Sequence, residues 1–274
     1  MSENYSWYAM TRRSFLAWIG SLTAYSWFGL ARGQDTNGAP VTNSLGMKFN
    51  SIPGAKSLIG IWDVRVKDYA PFASETKSDW PKPKFSQTAD DPAVNVSWND
   101  AIAFCDWLTK KEHSSGKLSA DRMYRLPTDA EWSAAAGKGT FPWGETWPPP
   151  PGVANYNKAL TQDDYWNTSP VGSFHANEHG LYDMAGNVYQ WCMDTYKPEM
   201  NTDEMRQANP FLNADYKPGP FKVLRGSAWD RGWNWKTEHW KEDLFDFRTS
   251  SRFFWEPTER SDCFGFRVVI APTT

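Results

Sequence analysis

From Ser97 onward, apolar side chains fall at Ala101, Phe104, Cys105 and Leu108, the i, i+3, i+4, i+7 spacing of one helix face. Ser97 stands where an N-cap belongs, so the pattern predicts a helix opening at Trp98. A second helix is predicted from Thr128, because Thr128-Asp129-Ala130-Glu131 is a capping box and Gly137 stands where the helix should stop. Ser44 to Gly54 reads as a first hairpin or strand. Ile59 to Phe72 starts strand-like and turns helical near Val66, and residues 73–91, with two Pro and many polar groups, read as a loop. Beyond residue 138 long helical periodicity stops. Short apolar runs such as Val223-Leu224 and Phe266 to Ile270 predict short strands inside a large body of structured loop. With no internal repeat and no second linker, residues 43–272 read as one α+β domain with few helices and short twisted strands.

The chain has 274 residues, a length that by itself allows one domain or two. A 40% hydrophobic and 22% charged content fits a folded domain and excludes wholesale disorder. The net charge of −3 supplies no basic excess to displace phosphate counterions, so no nucleic-acid partner is expected. Three Cys and four His exclude a disulfide-rich scaffold and a multi-zinc protein.

Residues 1–34 read as an export signal. Thr11-Arg12-Arg13-Ser14-Phe15-Leu16 resembles a twin-arginine pattern, and no charged residue occurs between Ser14 and Ala31. If the segment is not cleaved, residues 14–31 are just long enough to anchor the chain in a membrane. Either way the remainder is expected outside the cytoplasm, periplasmic or extracellular. Residues 35–42 read as a linker.

A series of blocks then becomes familiar. They are Asn43-Ser44-Leu45-Gly46-Met47, Pro92 through Trp98, Tyr124-Arg125-Leu126-Pro127-Thr128-Asp129-Ala130-Glu131-Trp132, and Phe141-Pro142-Trp143-Gly144. Gly180 through Trp191, Val223-Leu224-Arg225-Gly226-Ser227 and Gly265-Phe266-Arg267 complete the series. Together they resemble the formylglycine-generating enzyme (sulfatase-modifying factor) family, in family order and over nearly the whole mature chain. The resemblance implies a C-type-lectin-like variant fold. It also implies a reaction, oxidation of a substrate cysteine to formylglycine by copper held between two cysteines.

That thiol pair is missing here. The resemblance lays its two positions near Arg231 and Lys236, and no Cys occurs between Cys192 and Cys263. Two soft thiolates suit Cu(I), whereas Arg and Lys are cations. Cys105 and Cys192 read as small buried hydrophobes, and Cys263 is left free or paired. His175 and His179 have i, i+4 spacing but sit in a loop-like context, and His113 reads as exposed, so neither copper nor iron is expected.

The resemblance further implies calcium, at one or two structural sites. The first falls on Asn155, Tyr156, Asp164 and Trp166, the second on Asp183, Gly186, Val188 and Gln190. Side-chain oxygens and backbone carbonyls of tight turns are the ligands hard cations take. The family's substrate groove falls on the stretch from Trp229 to Trp255, with Trp229, Asp230, Arg231, Trp233, Trp235, Lys236, Arg248 and Arg252 as groove residues. Trp and Arg dominate binding hot spots, and Arg clamps carboxylates and sulfates, so a peptide, glycan or small-molecule ligand is expected there. Three functions remain open at this point: a calcium-braced binding domain, an enzyme of different chemistry on the same fold, and a formylglycine-generating oxidase. A membrane partner enters only with an uncleaved N-terminal segment.

Overall fold

In the computed structural model, residues 40–51, 54–161, 163–201, 219–231 and 247–273 are described. Residues 1–34, expected to be an export signal, lie outside them, as do Trp233, Trp235 and Lys236. The linker segment 35–42 is described only from residue 40, and its last two residues already form the first strand.

Two small sheets carry the fold among the described residues. In the first, β1 (Val41–Thr42), β2 (Lys48–Ser51), β3 (Leu58–Gly60), β9 (Val269–Pro272) and β4 (Arg122–Arg125) lie in the order β1-β2-β3-β9-β4, all antiparallel. The C-terminal strand thus inserts between two N-terminal ones. The second sheet has the order β7-β6-β5-β8, from β5 (Tyr189–Thr195), β6 (Lys222–Arg225), β7 (Phe253–Trp255) and β8 (Phe264–Gly265). Its β5–β8 pair is parallel, and a bulge between Trp191 and Thr195 breaks the β5–β6 register. Short curled strands, few helices and long ordered loops make this a mixed fold of the C-type-lectin-like kind.

The helices form where their caps dictate. Helix α1 (Val66–Thr76) runs past Phe72 into the segment read as loop, and stops at Lys77, which takes a left-handed φ of 55°. The loop signal, Pro81 and Pro83 among polar residues, lies beyond the end of α1, and the helix carries Pro71 because Tyr69 and Phe72 are buried on it and tertiary packing overrides one missing N–H. Helix α2 (Trp98–Ser114) begins with Ser97 Oγ accepting from Asp100 N at 3.1 Å while Asp100 Oδ2 accepts from Ser97 N at 2.9 Å. Its predicted face, Ala101, Phe104, Cys105 and Leu108, is buried. Helix α3 (Asp129–Ala136) shows the Thr128–Glu131 capping box and ends at Gly137.

The core is aromatic. Tyr69 stacks on Phe104 at 5.6 Å, and Phe266 meets Phe104 edge-on at 5.4 Å. Burying a ring the size of Phe104 contributes roughly 1.5–3 kcal/mol, so few long aliphatic helices are needed. The largest buried rings keep polar partners: Trp191 Nε1 donates to the Val96 carbonyl at 2.9 Å, and Trp132 Nε1 to Gln190 Oε1 at 2.8 Å. Cys105, Cys192 and Cys263 are all buried and free, so no disulfide contributes.

Candidate functional site

Three loops cross where the implied metal ligands lie. Asn155 pairs with Gly186 in an isolated bridge, Asn187 N donates to the Asn155 carbonyl at 2.8 Å, and Gly186 N donates to the Gly226 carbonyl at 2.8 Å. Gly186 has φ 68°, and a Cβ on it would lie 2.2 Å from the Asn155 carbonyl oxygen. Only glycine permits this approach. Asn187 locks the crossing: its Oδ1 accepts from Ser169 N at 3.1 Å, and its Nδ2 donates to the Ser169 carbonyl at 3.1 Å.

At this crossing Asn155 donates through Nδ2 to the Asn167 carbonyl at 2.8 Å, while its Oδ1 is buried with no hydrogen-bond donor. Such an orphaned oxygen costs about 1–3 kcal/mol unless something else satisfies it. Nearby, Thr161 Oγ1 donates to Asp163 Oδ2 at 2.5 Å and lies 3.5 Å from the Tyr156 carbonyl. Asp163 Oδ1 accepts from Tyr165 N at 2.7 Å. Asp163 is therefore tied to the Tyr156 turn, whereas its neighbour Asp164 is exposed and Trp166 is 72% exposed. The oxygen donors Asn155 Oδ1, the Tyr156 carbonyl and the Asp163 carboxylate fit a hard cation by type. Among the sequence-expected residues, Asn155 and Tyr156 stand at the crossing and Asp164 is exposed, while its neighbour Asp163 is the acid bound through Thr161 to the Tyr156 turn. The sequence holds Asp163-Asp164 in tandem, and spacing alone does not say which one turns inward.

The second expected set does not fit a metal. Asp183, Gly186, Val188 and Gln190 are gathered in one turn and are all buried. Gln190 Oε1, however, accepts from Trp132 Nε1 at 2.8 Å and from Arg267 Nε at 2.7 Å. Both partners can only donate, so the amide orientation is fixed by chemistry. Gln190 Nε2 must then face the turn, and it donates to the Asp183 carbonyl at 2.6 Å. Where an acid would offer a second oxygen to a cation, this chain presents an N–H.

Arg267 supplies the local positive charge. It is fully buried, donating to the Gly60 carbonyl at 2.9 Å and the Tyr182 carbonyl at 2.7 Å, and lies 3.7 Å from Asp63. No donor reaches either Asp63 oxygen within hydrogen-bond distance. Burial pushes the Asp63 carboxyl well above the usual carboxylate range; Arg267 opposes the shift and Asp183 reinforces it. Burial also raises Asp183. Sequence reading quoted Arg267 in a motif but missed its pairing with Asp63, because the two lie at opposite ends of the chain.

The expected groove residues divide. Trp229 is half-buried, donating through Nε1 to the Asp262 carbonyl at 3.2 Å and meeting Phe85 edge-on at 5.6 Å. Asp230 and Arg231 lie 3.8 Å apart with side chains 42% and 43% exposed, and the Arg231 guanidinium sits 5.4 Å from the centre of the Tyr189 ring. Trp255, on β7, is 50% exposed. Arg248 is half-buried. Arg252 faces inward instead: its Nη2 donates to Asp129 Oδ2 at 3.0 Å. The same Asp129 carboxylate binds Arg225, whose guanidinium lies over Trp132. Arg252 is thus engaged in a structural pair and offers no free clamp. Burial lowers Arg225 to about 10, with Asp129 opposing.

The thiols are equally settled by burial. It pushes Cys263 up to about 12 and Cys105 and Cys192 further. A thiol held protonated is a poor nucleophile. Among the described residues no group of three or more His, Cys, Asp and Glu is arranged to hold a metal. His175 is exposed, and His179 lies 3.7 Å from Glu178.

Comparison with known proteins resolves the lineage. The family model for the FGE-sulfatase domain, the sulfatase-modifying factor enzyme 1-like domain, matches residues 7–272. The chain belongs to this family. Among similar proteins of the sulfatase-modifying factor family, the formylglycine-generating enzyme of Thermomonospora curvata is 30% identical over 215 residues, covering 72% of this chain and 61% of that protein. The mouse protein named inactive C-alpha-formylglycine-generating enzyme 2 is 32% identical over 191 residues, covering 64% of this chain and 48% of that one. The chain thus spans less than two thirds of these relatives. Among solved structures, PvdO from Pseudomonas aeruginosa superposes with a TM-score of 0.59 at 27% identity, over 78% of this chain and 80% of PvdO. CarF, at 21% identity and a TM-score of 0.54 over 80% of this chain and 87% of its own, shares the fold.

Proposed function

We propose that this chain is an exported sulfatase-modifying-factor domain that works by binding rather than by copper-dependent formylglycine formation. It is braced by one calcium at Asn155, Tyr156 and Asp163. Its ligand, a peptide, glycan or small molecule, lies along the surface bearing Trp229, Asp230, Arg231 and Trp255. One observation carries this reading: all three thiols are buried, free and raised in pKa, and the chain has no cysteine between Cys192 and Cys263. The resemblance implies the calcium, and the orphaned Asn155 Oδ1 supports it. Half-exposed Trp and Arg side chains support the ligand surface. Residues 1–34 support export. No helix of the described residues is long and apolar enough to cross a membrane, and residues 14–31 lie outside them. A second reading, an enzyme of different chemistry on this fold, takes its support from the twin-arginine-like start, since that route exports proteins already folded.

The test is metal analysis by mass spectrometry on protein purified without chelators, followed by glycan and peptide arrays. Calcium near one per chain with only trace copper, and array binding lost in Trp255→Ala and Arg231→Ala, is the expected result. Stoichiometric copper or iron, or conversion of a cysteine peptide to formylglycine, overturns the reading.

A further inference from the structure

A cavity of about 470 Å³ opens between the Phe141–Gly144 turn and the segment from Phe174 to Glu178. Its volume falls in the range of small-molecule pockets, about 300–1,000 Å³. Its apolar lining includes Phe141, Trp143, Phe174 and Leu181. Phe141 and Trp143 stack at 5.0 Å with their planes 3° apart, and Phe174 is held edge-on against Tyr165 at 6.1 Å. The wall near Gly137 is tight, since a Cβ there would sit 2.9 Å from Glu178 Oε1. The cavity is therefore a shaped, aromatic-walled recess.

Its electrostatics favour positive charge. Helix α3 ends at Ala136, in the cavity wall, and has no basic residue in its last turn. A helix C-terminus carries partial negative charge and attracts cations. Asp183 and Glu178 also line the cavity. The opposing cation in the lining is Lys138, which is exposed. His175 stands at the rim, 3.4 Å from the Gly152 carbonyl. An ammonium group entering here meets the exposed Glu178 carboxylate and a helix end, with Asp183 behind them held by the Gly172 amide at 2.9 Å, while its body meets ring faces and edges.

We propose that this cavity binds a compact organic cation, a primary amine carried on one aromatic ring or a short alkyl body. Its lining contains none of Trp229, Asp230, Arg231 and Trp255, so either reading can fail alone.

The probe is phenethylamine, compared with neutral 2-phenylethanol and anionic phenylacetate, measured on the full chain at low salt by calorimetry and thermal shift. Phenethylamine should bind about tenfold more tightly than 2-phenylethanol, with phenylacetate weakest. Ala176→Phe, which fills the recess from its wall, should remove binding while leaving the melting temperature without probe unchanged. If that variant fails to fold, Lys138→Glu serves instead: it adds negative charge at an exposed position and should tighten phenethylamine binding about threefold. Equal binding of the three probes, no binding of phenethylamine at about 10 mM, or no response to the folded variants overturns the proposal.

Discussion

Arg267 donates through Nε to Gln190 Oε1 at 2.7 Å, and this one contact decides what the neighbouring turn can hold. Trp132 occupies the other lone pair of that oxygen. The Gln190 N–H then points at the Asp183 carbonyl, where a cation would need an oxygen. Gln190→Glu should replace that donor with a carboxylate oxygen facing a carbonyl. In a chelator the variant should lose about 1–3 kcal/mol in urea unfolding, and added calcium should restore it. A variant as stable as the parent in chelator would show that Nε2 does not engage the turn.

Calcium at the first site should depend on Asp163 and not on Asp164. Calcium at about 100 times its dissociation constant should stabilise the parent by roughly 2.7 kcal/mol. Asp163→Asn should abolish most of that gain, because the tied carboxylate is lost. Asp164→Asn, at an exposed position, should retain it. The reverse order of effects would assign the site to the other acid.

Gly186→Ala tests the loop crossing. An alanine at φ 68° is strained, and its Cβ would fall 2.2 Å from the Asn155 carbonyl oxygen. A loss of about 3 kcal/mol or more is expected, since backbone faces the new atom and backbone yields poorly. A loss below about 1 kcal/mol would mean that the two loops are not in contact.

Acid should weaken the fold through Glu131. Burial alone would raise its pKa, but hydrogen bonds from Arg125, Ser57 and the Thr128 amide bring it from 4.5 to about 2. The folded-state value lies below the unfolded one. The stabilisation is therefore complete above the unfolded value and is lost as pH falls from about 4.5 through about 2. Allowing for solvent screening, about 1–2 kcal/mol is expected. The urea midpoints of the parent and Glu131→Gln should converge over that window, and midpoints that stay parallel would remove Glu131 from the account.

The thiols should be silent in the native state. Ellman's reagent should modify none of Cys105, Cys192 and Cys263 in folded protein within minutes, and three thiols per chain after unfolding in guanidinium. Rapid native reaction of any one would mean that its burial is relieved in solution.

The helices and the lineage were legible in the chain itself, for local reasons. Ser97 with Asp100, and Thr128 with Glu131, are capping pairs three residues apart, and the α2 face repeats at i, i+3, i+4. Such signals need no partner from elsewhere. Blocks such as Gly180 to Trp191 and Gly265-Phe266-Arg267 likewise carried the family in order along the chain. The missing thiol pair followed from residue identity alone, because no fold can supply a sulfur the sequence lacks.

What the chain could not decide were relations between distant residues. Asp163 and Asp164 are chemically alike, and only the fold turns one toward Tyr156 and leaves the other in solvent. Arg252 read as a free clamp until Asp129, 123 residues away, was found holding it. Gln190 read as a calcium ligand until Trp132 and Arg267 arrived on its oxygen from two other parts of the chain. A side chain's residue type sets which atoms it can offer, and this is local. Which of those atoms remain to be offered depends on the donors and acceptors that packing brings against them, and only the tertiary structure determines that.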